Sequence, residues 1–191
     1  MKNTLLFLWL VSCCIACGDK KTQTSNEPTE LQTHAVKTEA SMEQQDPVLL
    51  GRKKRSDLEA APHAVWFTAN YGSYTPDPEV VQQLKPLLKN VNITVFMGTW
   101  CGDSKQQTPA FYKILDAAGY NGNNLSLITV SRAKDTPEKY EEGLDIIKVP
   151  TFIFYKDGKE LNRIVEYPIE TLEEDMLAIV SGKPYKHAYA E

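Results

Sequence analysis

Cys101 is the residue in this sequence whose type and position best suit chemistry. It lies in the stretch MGTWCGDSKQQTP, between an apolar run and an apparent helix. The start of a helix favours a thiolate because unsatisfied backbone N–H groups point toward it. Lys105 adds a positive charge one turn later and Asp103 opposes it, but both side chains can swing into water. The pattern predicts an exposed, nucleophilic thiol, and an inert buried cysteine is the alternative.

The position three residues after Cys101 is occupied by Ser104, which cannot form a disulfide. A lone thiolate can attack a substrate disulfide and form a mixed disulfide, but it cannot release that substrate by internal attack. Release requires a second thiol from the substrate, a small thiol or another protein. We expect the Ser104 hydroxyl to donate a hydrogen bond to the thiolate. These residues suit disulfide isomerisation, reversible thiol capping or client capture, and they exclude turnover as a lone dithiol reductase.

The other groups that could do chemistry predict neither a metal site nor a cofactor. The three histidines, His34, His63 and His187, are far apart, and no short-spaced cluster of metal ligands occurs. A formal net charge of −4 gives no long-range attraction to nucleic acid. The length of 191 residues allows one domain plus tails. We therefore expect partners among protein thiols and disulfides.

The amino terminus has the layout of a bacterial lipoprotein signal peptide over residues 1–17. A lysine precedes a short apolar run, which ends in small residues and is much shorter than the ~20 residues that span a bilayer. The Leu-Val-Ser-Cys sequence ending at Cys13 resembles a lipobox, and Cys17 is the alternative lipidation site. An ordinary secretory signal is the other possibility. The expected location is the bacterial cell envelope, with a lipid-anchored domain in the periplasm or at the cell surface.

Residues 18–60 are expected to form a disordered linker, because the first part of this stretch is polar and lacks aromatic residues. A coil of this length spans roughly 35 Å. The basic tetrad Arg52–Arg55 is interpreted as a solvated patch of the linker, with contact to anionic lipid as the alternative. Residues 61–191 are expected to form the folded domain.

The apolar patterning predicts an α/β domain with element order βαβαβα followed by ββα. Strands are expected at 63–69, 92–97, 125–130, 149–155 and 160–167, and helices near 77–90, 101–118, 135–143 and 169–181. Asp77 is a predicted helix cap, Gly119 a predicted helix stop, and KDGK a predicted hairpin turn. The first half calls for a parallel strand pair, and the second half for an antiparallel hairpin with a helix packed on it.

This order, with Trp100-Cys101-Gly102 where a strand meets a helix, resembles the thioredoxin fold, a central mixed β-sheet flanked by helices. Pro109 matches the kinking proline of the next helix, and the segment from Val149 to Phe152 resembles the cis-proline segment of the family. The likeness covers about residues 62–181, and the WCGDS motif is similar to that of bacterial exported thioredoxin-like proteins. The resemblance implies that Cys101 is catalytic, supported by Trp100, Gly102, Asp103, Ser104, Lys105, Val149 and Pro150.

Two departures from the thioredoxin pattern bear on function. Ser104 replaces the resolving cysteine, and Val95 stands where the family has a buried acid that aids proton transfer. Both count against a fast general reductase. Three hypotheses follow: an envelope-anchored monothiol protein in thiol–disulfide exchange, a non-catalytic peptide-binding module, and a sensor in which Cys101 is oxidised to a sulfenic acid.

Overall fold

The structure, a computed structural model, describes residues 46–191 and contains a five-stranded mixed sheet with helices packed on it. The strands are β1 (Gly51–Lys53), β2 (Val91–Met97), β3 (Leu125–Thr129), β4 (Thr151–Lys156) and β5 (Lys159–Val165). The helices are α1 (Arg55–Glu59), α2 (Ala64–Ser73), α3 (Pro78–Leu87), α4 (Gly102–Ala118) and α5 (Leu172–Val180), with short 3-10 helices at Leu88–Asn90 and Gly122–Asn124. The spatial order is β1-β3-β2-β4-β5. Strands β2 and β3 are parallel, and the other neighbours are antiparallel.

The folded domain begins earlier than the sequence predicted. Strand β1 pairs antiparallel with β3, and Leu58 in α1 is completely buried. Residues 51–60 therefore belong to the domain, and the linker prediction was wrong for them. Their order comes from pairing with a strand more than 70 residues away, as between Gly51 and Thr129, which local composition does not reveal. The signal peptide, its two candidate lipidation sites and residues 18–45 of the predicted linker lie outside the described residues.

Arg55, from the basic tetrad, is a structural residue rather than part of a solvated patch. Its guanidinium donates to both oxygens of Asp116 at 2.8 and 2.7 Å. The guanidinium also lies 5.3 Å from the ring centroid of Tyr71 and 5.0 Å from that of Tyr112. These contacts tie α1 to α2 and α4, because stacking and bidentate pairing both suit a planar guanidinium.

Residues 63–69, predicted as a strand, are helical and mostly form the first part of α2. The run HAVWFTA is rich in β-branched and aromatic residues, so its local preference favoured a strand. Helix α2 instead packs against α4, where Phe67 is buried and its ring lies 6.0 Å from that of Tyr112. Tertiary packing therefore overrides local propensity here.

The remaining elements largely follow the prediction. The Asp77 side chain accepts from the backbone N–H groups of Glu79 and Val80 and caps α3, and Gly119 ends α4 in the left-handed region at φ 66°. The KDGK turn connects β4 and β5 as predicted. The helix predicted at 135–143 is absent; this stretch forms turns, with Lys139 at φ 57°.

The side chains of the sheet alternate between two hydrophobic clusters, one on each face. The larger contains Val95 and Met97 from β2 and is covered by the helices. The smaller contains Phe96 from the same strand, and Trp100 and Cys101 pack against it. The candidate site therefore lies at the margin of the smaller cluster, where β2 passes into α4.

Candidate functional site

Cys101 occupies the N-cap position of α4, as predicted. Its backbone is extended (φ −93°, ψ 128°), its N–H donates to Gly98 O at 2.9 Å, and its carbonyl accepts from Lys105 N at 3.0 Å. The side chain is half-buried, and the thiol forms no disulfide within residues 46–191. The first turn of α4 therefore begins at this residue, with its backbone N–H groups directed toward the N-cap.

The second part of the site is the segment before β4, where the Val149-Pro150 peptide bond is cis, as predicted. Cys101 Sγ lies 3.3 Å from Val149 O, within reach of a thiol hydrogen bond. The segment is fixed on both sides, since Glu166 N donates to Pro150 O at 2.7 Å and Thr151 Oγ1 donates to Lys148 O at 2.7 Å. A rigid backbone therefore faces the sulfur.

Contrary to our expectation, Ser104 does not form a hydrogen bond with the Cys101 thiol. It is completely buried, and its Oγ accepts a hydrogen bond from Gly98 N at 3.1 Å. Within residues 46–191, no hydrogen bond joins Ser104 to Cys101. A buried backbone N–H without an acceptor is costly, which explains why the oxygen faces the turn instead of the sulfur. Ser104 fixes the loop that carries Cys101.

Trp100 is partly buried. Its indole Nε1 donates to Val130 O at 2.9 Å, which joins the loop after β2 to the residue that follows β3. A Cβ atom at Gly98 would lie 2.5 Å from Trp100 Cε2, so glycine is required there. Gly102, by contrast, has open space where a Cβ would stand, and sterics do not demand a glycine. The hydrogen bond to Val130 and the close contact with Gly98 thus fix the position of the indole.

The charged residues of the motif are arranged differently from the expectation. Lys105 Nζ pairs with Asp46 Oδ2 at 3.4 Å and lies 5.8 Å from the ring centroid of Trp66, so its charge is already compensated. Asp103 is exposed, with Oδ2 4.0 Å from Cys101 Sγ. Val95 is completely buried in β2, which leaves an apolar side chain at the position of the family's buried acid.

Three residues of the site had no signal in the sequence analysis. Asp46 neutralises Lys105, and the Thr99 hydroxyl accepts from Leu49 N at 3.1 Å. The Arg132 guanidinium lies over the Trp100 ring, 5.2 Å from its centroid. All three contacts join segments distant in sequence, so no local motif marks them. The steric requirement for glycine at Gly98, by contrast, comes from Trp100, which is only two residues away in sequence.

Two general features of the described chain complete the description. Among residues 46–191, no three histidine, cysteine or acidic side chains converge where they could hold a metal ion. None of the helices in that range is both long and apolar enough to cross a membrane.

Comparisons with known proteins match this architecture. A family model described as thioredoxin matches residues 63–179. Thioredoxin of Staphylococcus aureus is 33% identical over 86 residues, which cover 44% of this chain and 77% of the relative. A protein of unknown function from Pseudomonas aeruginosa has a similar structure, with TM-score 0.50 and 17% identity, covering 64% of this chain and 86% of that one. Mitochondrial thioredoxin 3 of Saccharomyces cerevisiae is 21% identical with TM-score 0.31, covering 50% of this chain and 86% of that chain.

Proposed function

Because this chain belongs to the thioredoxin family, whose general role is thiol–disulfide redox chemistry, we propose that Cys101 is the single nucleophile of a thiol–disulfide exchange with protein substrates. The observation that carries the proposal is the position of the sulfur. It is free and half-buried at the N-cap of α4, and it faces the cis Val149-Pro150 segment at 3.3 Å from the Val149 carbonyl.

The reaction proceeds in two exchanges that balance without an external oxidant. The Cys101 thiolate attacks one sulfur of a substrate disulfide, the new Sγ–S bond forms, and the old S–S bond breaks. The leaving sulfur departs as a thiolate and takes a proton from water. A second thiol, from the substrate or from a small thiol compound, then attacks the mixed disulfide and returns Cys101 as a thiolate.

The identity of the second thiol separates this protein from dithiol members of its family. Ser104 has no sulfur, and its oxygen is occupied by the Gly98 N–H at 3.1 Å. When the releasing thiol belongs to the substrate, the net reaction is disulfide isomerisation. When it belongs to a small thiol, the net reaction transfers that thiol to the substrate as a cap, and a second molecule of the small thiol removes the cap as its own disulfide and completes the reduction.

Attachment to the bacterial cell envelope is the second part of the proposal. The signal-peptide pattern and the lipobox-like sequence at Cys13 support it, with Cys17 as the alternative. A diacyl anchor there holds a soluble domain at a membrane surface. If the full chain does not fractionate with membranes, or if it does so after both cysteines are replaced by serine, lipid anchoring is excluded.

The exchange chemistry is tested with the full chain after Cys13, Cys14 and Cys17 are replaced by serine, so that only Cys101 remains. The protein is incubated with a peptide disulfide, quenched with acid and analysed by mass spectrometry without reduction. We expect an adduct of one peptide mass that disappears on addition of a small thiol. Adding Cys101→Ser provides the control, which must form no adduct.

The alternatives predict different outcomes of the same experiment. Absence of any adduct overturns the proposal. Peptide affinity that survives Cys101→Ser, without an adduct in the parent protein, indicates a binding module. Reaction of Cys101 with hydrogen peroxide far faster than with disulfides indicates a redox sensor.

A further inference from the structure

Arg132 places a positive charge next to the Trp100 side chain. This residue follows β3 and is exposed, and its guanidinium lies 5.2 Å from the centroid of the Trp100 ring. Among residues 46–191, its side chain has neither a hydrogen-bond nor a salt-bridge partner. A guanidinium that lies over an aromatic ring without such a partner has N–H groups available, and these match the two oxygens of a carboxylate.

The ring beneath Arg132 is held firmly. Trp100 Nε1 donates to Val130 O at 2.9 Å, and the lack of a side chain at Gly98 lets the indole approach the backbone closely. The cation is therefore stacked on a surface that does not move away, which lowers the entropy lost when the cation binds an anion. Trp100 directly precedes Cys101, so Arg132 lies over the residue next to the reactive one.

The other cations around the site are already paired. Lys105 is compensated by Asp46 at 3.4 Å. Lys148, just before the cis-proline segment, is 3.6 Å from Glu166. Among Lys105, Lys148 and Arg132, only Arg132 lacks a partner within residues 46–191, and it can meet an arriving substrate. Asp103 is the opposing charge, at 4.0 Å from Cys101 Sγ on the α4 side, and it repels acids that approach from that side.

We propose that Arg132, stacked on Trp100, selects disulfide substrates that carry an acidic side chain next to the cysteine that Cys101 attacks. This inference rests on the proposed function and names its substrate class. The acid lies against the Trp100 side of the site, away from Asp103. Pairing with Arg132 holds the substrate sulfur in position for attack, and the bond changes are those of the first exchange given above.

The test uses three peptides that are identical except for the residues flanking a single cysteine, which are Glu, Gln or Lys. Each cysteine is activated as a 2-thiopyridyl disulfide, so attack at the peptide sulfur joins it to Cys101 and releases pyridine-2-thione, whose absorbance gives the rate. The protein is the full chain that keeps only Cys101. Rates are measured at low salt and again near 1 M salt, where the Debye length falls from about 30 Å to about 3 Å.

We expect the Glu peptide to react about three-fold faster than the Lys peptide at low salt, a ratio typical of one exposed charge pair. High salt should bring the ratio close to one, Arg132→Gln should bring it to one or below because Asp103 remains, and Arg132→Glu should invert it. Asp103→Asn should raise the ratio. Lys156→Gln is the matched control: it removes one positive charge from the opposite end of the sheet, beside Val91, and should keep the ratio of the parent protein.

Equal rates for the three peptides in the parent protein overturn the inference, as does a preference that persists in Arg132→Gln. In both cases the release of pyridine-2-thione still supports the exchange chemistry. No release with any peptide, the neutral one included, overturns the proposed function and this inference together. The two failures are therefore distinguishable in one series of measurements.

Discussion

Leu49 donates its backbone N–H to the buried hydroxyl of Thr99 at 3.1 Å, which fastens the chain entering the domain to a point two residues before Cys101. Asp46 reinforces this attachment through its ion pair with Lys105 in the first turn of α4. The entering segment thus contacts the loop that carries the thiol on both sides of the sulfur in sequence. Its fixation contributes to the shape of the site.

Replacing Thr99 by valine tests this attachment, because valine keeps the shape of threonine but accepts no hydrogen bond. The Leu49 N–H loses its partner, so we expect the free energy of unfolding to fall by about 1–2 kcal/mol. Hydrogen exchange at the Leu49 amide should accelerate. Urea denaturation and amide exchange measure the two effects. Thr75→Val, at an exposed position, is the control, and an equal loss in both variants would contradict the prediction.

Replacing Ser104 by cysteine should convert the site into a dithiol. An internal thiol acts at an effective concentration of millimolar or more, so we expect the Cys101 mixed disulfide to decay at least about ten-fold faster without added thiol. In this variant the Gly98 N–H donates to a weak sulfur acceptor instead of an oxygen. The unfolding free energy should therefore fall by about 1 kcal/mol. Mass spectrometry of the mixed disulfide over time measures the decay.

Ser104→Ala is the control for this substitution. It removes the acceptor of Gly98 N without adding a thiol. It should therefore lose stability like the cysteine variant while its mixed disulfide decays no faster than in the parent protein. Equal decay in both variants would mean that position 104 cannot reach the mixed disulfide.

His63 should make stability depend on pH. The residue is buried and lies at the start of α2, and burial lowers its pKa below the ordinary 6.5; Asp46 raises this pKa and Lys105 lowers it. Below pH 6.5 the unfolded chain therefore binds a proton that the folded protein resists. The unfolding free energy should fall as the pH drops from 6.5 toward the lowered pKa.

Urea denaturation between pH 5 and 7.5 measures this dependence, and His63→Gln should flatten it. His187→Gln is the matched comparison, since burial also lowers the pKa of His187 and that variant should remove only its own share. If the unfolding free energy changes with pH in the same way in both variants as in the parent protein, other groups cause the dependence.

The partly buried Tyr185 and the buried Tyr112 should differ in how much stability they lose with the hydroxyl. Tyr185 Oη donates to Asp175 Oδ2 at 2.7 Å, whereas the Tyr112 hydroxyl is buried without a hydrogen-bond partner among the described residues. Tyr185→Phe should cost about 1.5–3 kcal/mol of unfolding free energy because it weakens the binding of a buried carboxylate. Tyr112→Phe should change stability by less than about 0.5 kcal/mol, since it removes a group that makes no bond. Parallel urea titrations measure both, and a larger loss in Tyr112→Phe would contradict this assignment.

Much of the fold was predictable because several elements carry their own start and stop signals. Asp77 caps α3, Gly119 ends α4, and the turn at Asp157 and Gly158 closes the hairpin of β4 and β5. Two of the failures share a physical cause. Strand β1 and helix α2 are determined by partners far away in sequence, namely β3 and α4, and a local pattern does not contain that information.

The candidate site was predicted as a set of positions but not as a set of contacts. The placement of Cys101 at the start of α4 and the cis bond before Pro150 follow from local motifs. The hydrogen-bond partner of Ser104 and the position of Arg132 over Trp100 do not follow from local motifs. Each depends on which backbone groups remain unsatisfied and which loops meet after folding. Sequence patterning thus identifies the candidate nucleophile, and only the assembled fold identifies its electrostatic surroundings.

The antiparallel pairing of β1 has a consequence for how the domain faces its surroundings. Gly51 pairs with Thr129 at the carboxyl end of β3, and Cys101 follows the carboxyl end of the parallel neighbour β2. The polypeptide therefore enters at the pole that bears the sulfur. A substrate that reaches Cys101 therefore approaches beside the entering chain, and residues 46–50 border its path rather than lying at the opposite end of the sheet.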